Sequence, residues 1–148
     1  MMGASSTLLS VAGALLAVWL IMLPNFRIEG QDGSEKSRVI EVLADHDSRY
    51  KVAGMRLPEI TAKAGERLKL RITAKKAKNV NREGSIHGFT LLRAKDRTAV
   101  AGWDFQLTPG TQEFAVTAPE EPGEYVVICT VICSDDHEGM TMRFVVLP

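Results

Sequence analysis

Arg67 to Ala74, RLKLRITA, sets Leu68, Leu70 and Ile72 against Arg67, Lys69, Arg71 and Thr73. That alternation is period two, the pattern of a strand with one buried and one wet face. Ala64-Gly65-Glu66, just upstream, supplies a turn into it. Working outward, Arg38 to Leu43 (RVIEVL) is β-branched and compact, and further strands are predicted at Gly88 to Leu92, Gln112 to Ala118, Glu124 to Cys129 and Met140 to Leu147. Pro109-Gly110 and Pro122-Gly123 punctuate them. Phe114 and Val116 alternate, whereas Tyr125 to Ile128 is more continuously apolar, as an inner strand is. No segment after residue 37 has a helical period, although Lys75 to Arg82 is expected to form a turn. About seven short strands in roughly 110 residues predict an all-β antiparallel sandwich over residues 38–148.

The chain has 148 residues, enough for one compact domain with a short appendage. Lysine plus arginine and aspartate plus glutamate each total 18, so the formal charge is zero. A balanced surface gives no reason to expect nucleic acid as a partner. There is no internal repeat, and no nucleophile, base and orienting acid assemble into a hydrolytic motif.

Thr7 to Leu23, TLLSVAGALLAVWLIML, contains neither charge nor proline. As a helix it reaches about 26 Å, enough to cross a bilayer with snorkelling flanks. A cleaved signal peptide wants a basic n-region and a small-residue cleavage site; MMGASS has no lysine or arginine, and Leu23-Pro24-Asn25-Phe26 is a poor cleavage sequence. A buried core helix is the third reading, but the run is apolar on every face and sits at the extreme terminus. Residues 1–23 therefore read as a transmembrane anchor, and Pro24 to Ser37 as a polar linker. Arg27, Lys36 and Arg38 follow the span, which opposes export by the positive-inside rule. Long domains cross largely regardless of charge, so the domain is expected on the extracytoplasmic side of the membrane.

The chemistry concentrates in Cys129-Thr130-Val131-Ile132-Cys133-Ser134-Asp135-Asp136-His137-Glu138-Gly139-Met140, a C-x3-C-x3-H-x2-M spacing between two predicted strands. His87 stands upstream, at the start of another strand, in Ser85-Ile86-His87-Gly88-Phe89. Two thiolates, two imidazoles and a thioether are soft to borderline ligands, which suit copper far better than magnesium, calcium or manganese. Zinc accepts Cys2His2, but its structural sites pair ligands at close spacing, whereas these histidines lie 50 positions apart. Methionine is a weak axial ligand for copper and seldom one for zinc. Each residue alone has a plainer explanation. Cys129 and Cys133, the only cysteines, would form a disulfide in many exported proteins, His87 would be a hydrogen-bonded structural histidine, and Met140 would be core.

The motif resembles that of the CuA domain, the cupredoxin-like Greek-key sandwich shared by cytochrome c oxidase subunit II and nitrous-oxide reductase. The similarity spans roughly residues 54–148, including Leu57-Pro58, Gly65-Glu66, the Ile86-His87-Gly88-Phe89 strand start and Pro122-Gly123-Glu124-Tyr125. With its N-terminal helix the chain is most similar to the short, single-helix subunit II of bacterial and archaeal oxidases. The resemblance implies two copper ions, bridged by the sulfurs of Cys129 and Cys133. His87 and His137 each bind one ion, with Met140 and the Val131 carbonyl as weak ligands. It implies one-electron relay from cytochrome c or another soluble donor to the subunit I-like membrane protein of a heme-copper oxidase. Val131 stands where large mitochondrial-type subunits carry a magnesium-linked glutamate, so that metal is not expected. The aromatic cluster that receives electrons in the family is missing, leaving Trp103 or Phe89 to substitute, and Lys95 to Gly102 reads as an extra loop.

Three alternatives remain from the residues themselves, one of them a sandwich stapled by a Cys129–Cys133 disulfide that merely binds a partner. A mononuclear blue-copper carrier needs only His87, Cys133, His137 and Met140. A copper-delivery protein would hold the metal weakly and exchangeably. Asp135, Asp136 and Glu138, with Glu120, Glu121 and Glu124 before the same loop, form either a solvated acidic rim or a docking face for a basic donor.

Overall fold

The computed structural model describes residues 37–148; the anchor expected over 1–23 lies outside them, as does all of the linker except Ser37. Nine strands follow in order: β1 (Arg38–Ala44), β2 (Tyr50–Lys51), β3 (Glu59–Lys63), β4 (Arg67–Ala74), β5 (His87–Arg93), β6 (Ala99–Leu107), β7 (Gly110–Thr117), β8 (Gly123–Ile128) and β9 (Thr141–Leu147). A single 3-10 turn, His137–Gly139, precedes β9. Among the described residues no helix is long and apolar enough to cross a membrane.

The strands form two sheets, one ordered β2-β1-β4-β7 and the other β3-β9-β8-β5-β6. In β4, Leu68, Leu70 and Ile72 are at most 1% exposed while the intervening residues face out, as period two requires. The facing sheet contributes Phe89, Leu91, Val127 and Phe144, all buried. An aromatic pair ties the layers together, Phe105 of β6 stacking on Phe114 of β7 at 4.2 Å, while within the second sheet Trp103 meets Phe144 edge-on at 5.1 Å. The Trp103 indole N–H donates to the Thr117 carbonyl, so its polar edge is not left unpaired.

The all-β sandwich agrees with the sequence, but two details differ. The sheets are mixed, because β1 pairs parallel to β4 and β3 parallel to β9. The stretch expected as an extra loop, Lys95 to Gly102, is a tight turn followed by the first residues of β6. Here the Arg97 amide N–H donates to the Arg93 carbonyl, and Arg93 N–H to Thr98. Residues 75–82 form no strand and belong to the connection from β4 to β5.

Pairing registers set the layout of one end. Ala44 lies opposite Ala74, His87 opposite Leu107, Thr90 opposite Ile128, and Ile128 opposite Thr141. The β1–β2 turn, the β4–β5 connection, the start of β5 and the long β8–β9 loop therefore gather there.

Candidate metal centre

His87, from the start of β5, meets Cys129 and Cys133 of the β8–β9 loop at that end, and all three are buried. Their ligand atoms lie within 4.8 Å of one another, the one such cluster of histidine, cysteine or acidic groups among the described residues. The two cysteines are free, with sulfurs 3.7 Å apart.

His87 opens β5, and its Nε2 lies 3.1 Å from the carbonyl oxygen of Lys75. That contact fixes Nε2 as the protonated nitrogen and leaves Nδ1 with the lone pair. Nδ1 is buried and has no hydrogen-bond partner. An acceptor held dry and unpaired costs free energy unless something fills its lone pair. Burial lowers the His87 pKa, which keeps the ring neutral, the form a metal ligand needs.

Gly88 follows, and its place is steric. A Cβ here would fall 2.5 Å from Thr130 Oγ1 and 2.7 Å from the Thr130 amide nitrogen. Only glycine lets the loop lie this close to β5. Both ends of the Gly88 residue are used: its N–H donates to Cys129 Sγ at 3.2 Å, and its carbonyl accepts from the Tyr50 hydroxyl. Burial, followed by the nearby cysteines, raises the Tyr50 pKa, so it stays a donating phenol.

Within the loop the Val131 carbonyl turns inward, 3.2 Å from Cys129 Sγ, and accepts the Cys133 N–H at 2.7 Å. Burial, outweighing the Gly88 and Val131 contacts, pushes the Cys129 thiol up to about 11. A thiolate at this position requires a cation beside it. Cys133 is also held from outside the loop, its carbonyl accepting the Asn79 N–H at 2.9 Å.

Met140 is fully buried, and its carbonyl accepts the Cys129 N–H, closing the loop at its base. His137 is not part of the three-residue cluster. It begins the 3-10 turn, half-buried, with Nδ1 3.1 Å from the Ser134 carbonyl oxygen. That places its proton on Nδ1 and its lone pair on Nε2. Buried soft donors around an orphaned imidazole nitrogen fit a thiophilic metal such as copper.

The surroundings revise two sequence expectations. Trp103 and Phe89 are 2% and 0% exposed, so neither offers a surface for electron entry. Glu120, Glu121 and Glu124 sit at the start of β8, the opposite end from the loop, where Arg93 pairs with Glu121 and Arg143 with Glu124. The acidic side chains of the loop itself are Asp135, Asp136 and Glu138, and Asp135 pairs with Lys78 at 2.7 Å. One contributing residue went unnoticed in the sequence. Ser48, in the β1–β2 turn, is buried with its hydroxyl 3.8 Å from Cys133 Sγ.

No family model matches the chain, and no curated protein matches it. Solved structures do. A chain of a heme-copper terminal oxidase dimer aligns at 17% identity and a TM-score of 0.51, covering 77% of this chain and 67% of that one. Auracyanin A, a blue copper protein of Chloroflexus aurantiacus, aligns at 22% identity and 0.51, covering 74% and 98%. Rusticyanin of Thiobacillus ferrooxidans aligns at 16% and 0.53, covering 76% and 78%. At these identities the likeness is one of fold. The described residues form a cupredoxin-like domain.

Proposed function

We propose that this chain relays single electrons through a dinuclear copper centre of the CuA type, as the electron-entry subunit of a heme-copper oxidase. The observation that carries this reading is the pair of free, buried cysteine sulfurs, 3.7 Å apart on one loop. A mononuclear site has use for one thiolate and would leave Cys129 a buried, protonated thiol with no ligand role. His87, Cys129, Val131, Cys133, His137 and Met140 would hold the metal. Two copper ions bound there would share one electron gained or lost, so little local charge changes at each.

The protein's own part is to hold the ligands still and dry. The Lys75 carbonyl fixes the tautomer and orientation of His87, and the Gly88 N–H stabilises the Cys129 sulfur. Tyr50, through the Gly88 carbonyl, pins the strand that carries both. The N-terminal segment would anchor the domain on the extracytoplasmic face of a membrane, beside a subunit I-like partner. A soluble donor such as cytochrome c would dock near Asp135, Asp136 and Glu138. The oxidase-dimer chain that shares this fold supports the choice of terminal partner.

A blue-copper carrier is the competing reading, favoured by the likeness to auracyanin and rusticyanin. Copper loading of the full chain separates the two. The dinuclear site gives two copper ions per chain, a purple colour and a paramagnetic resonance spectrum of one electron spread over two equivalent nuclei. Cys129→Ser should abolish that spectrum. One ion per chain, a blue colour and tolerance of Cys129→Ser would establish the carrier instead.

A further inference from the structure

We propose that Ser48 is a positioning residue of the copper site, its hydroxyl donating a hydrogen bond to the Cys133 sulfur. The inference rests on Cys133 being a copper ligand, which holds for the dinuclear and the mononuclear site alike.

Ser48 lies 85 positions before Cys133, in the turn Asp45-His46-Asp47-Ser48-Arg49. Two independent features set it apart from an ordinary turn serine. It is 3% exposed, although the other residues at the tip of the turn, His46 and Asp47, face solvent. Its φ is +55°, in the left-handed region, one of two non-glycine residues there among those described. A side chain with a Cβ is strained in that conformation, and glycine or asparagine is the usual occupant. Such strain is retained where the side chain has work to do. The turn's hydrogen bonds do not require serine: Ser48 N–H donates to the Asp45 carbonyl, and Arg49 donates to the Ser48 carbonyl, both through the backbone of residue 48.

The side chain points into the ligand loop. Ser48 Oγ is 2.6 Å from Ser134 Oγ and 3.8 Å from Cys133 Sγ, and Ser134 Oγ accepts the Asp136 N–H at 3.2 Å. Once Cys133 is a thiolate it can only accept, and this fixes the direction of every bond in the row. The Asp136 amide donates to Ser134, the Ser134 hydroxyl to Ser48, and the Ser48 hydroxyl to the sulfur. Each donor polarises the next. The two sulfurs are thus supported differently, Cys129 by the Gly88 amide and Cys133 by this hydroxyl row. A donor to a ligand sulfur withdraws charge from it, favours the reduced metal and raises the potential.

The test compares the copper-loaded full chain with Ser48→Ala, Ser48→Gly and Ser134→Ala. Reduction potential, the sulfur-to-copper absorption band and the thermal midpoint of each metal-free form are measured. Both Ser48 variants should lower the potential by the equivalent of a tenfold change in the reduced-to-oxidised ratio, about 59 mV for one electron, and move the absorption band. Ser48→Gly also relieves the backbone strain, so its metal-free form should be at least as heat-stable as Ser48→Ala while its potential falls equally. Ser134→Ala should shift the potential the same way by less, since Ser48 keeps its own hydrogen. A Ser48→Gly variant with the wild-type potential and absorption band would overturn the assignment, as would shifts that follow loss of stability. A wild-type chain that takes up no copper overturns the functional reading, and this one with it.

Discussion

Strands β4 and β5 both cross the middle of a sheet, yet they are buried in opposite styles. Along β4 burial alternates, with Leu68, Leu70 and Ile72 inside and Lys69, Arg71 and Thr73 toward solvent. Along β5 the first six residues, His87 to Leu92, are all buried. The cause is the β8–β9 loop. Thr130 lies against Gly88, and its hydroxyl is 3.2 Å from that of Thr90, which in turn donates to Asp104. A strand with one wet face serves the core alone. A strand roofed by a ligand loop faces the core with Phe89, Leu91 and, at the metal end, His87, and faces the loop with Gly88 and Thr90.

Truncating the core side of each strand gives the largest effect and separates those roles. Leu70 and Phe89 are both 0% exposed. Leu70→Ala should cost about 2–5 kcal/mol and Phe89→Ala about 3–5 kcal/mol in urea unfolding. The copper content of the folded protein should then diverge. Phe89 packs edge-on against Tyr50 at 5.5 Å, and Tyr50 holds the Gly88 carbonyl. A cavity at Phe89 loosens the peptide that supports Cys129, so copper is lost as well as stability. Leu70→Ala should bind a full complement once folded. Equal copper loss in both variants would erase the distinction between the strands.

On the roofed side of β5, Gly88→Ala adds a single methyl group. The φ of Gly88 is not positive, so the penalty is purely steric. Overpacking of this kind costs about 1–3 kcal/mol, and the displaced atoms belong to the ligand loop. Copper uptake should fall more sharply than stability. Thr130→Ala in the same chain relieves the 2.5 Å contact with the hydroxyl but not the 2.7 Å contact with the amide nitrogen, so rescue should be partial. Full rescue would mean that the side chain alone sets the spacing.

The same contrast explains what could be read from the sequence. β4 declared itself because its wet face interrupts its apolar face. β6, Ala99 to Leu107, did not: it is a mostly exposed edge strand, broken by Gly102 at φ +78° and by a register shift opposite Thr90 and Leu92. β3 buries only Ile60 and Ala62 and pairs with β9 at the far end of the chain, a contact with no local signature. Parallel pairing was invisible for a related reason, since side-chain alternation is the same in both orientations. At the metal centre, the C-x3-C loop and His87 were legible because soft ligands at fixed spacing are rare. Ser48 was hidden because Asp-His-Asp-Ser has ordinary turn composition. Only the fold shows that the turn leans on Cys133.

The smallest effect belongs to the wet face of β4, where the contrast with β5 can be stated most sharply. Arg71 lies directly opposite Glu41 on β1 and Glu113 on β7, so one row across the sheet carries negative, positive and negative charge. Its guanidinium donates to Glu113 at 2.8 Å and to Glu41 at 3.0 Å, in side chains that are roughly half exposed. Two hydrogen-bonded ion pairs look like a strong clamp, but in high dielectric the attraction is largely offset by the entropy of holding long side chains in place. Removing Arg71 leaves Glu41 and Glu113 separated by a whole strand and screened by salt. Arg71→Ala should therefore leave the urea midpoint and the copper content unchanged at physiological ionic strength, with at most a small loss in low salt. A clear drop in either, persisting at high salt, would show that this face is covered in the working protein, and β4 would then resemble β5 after all.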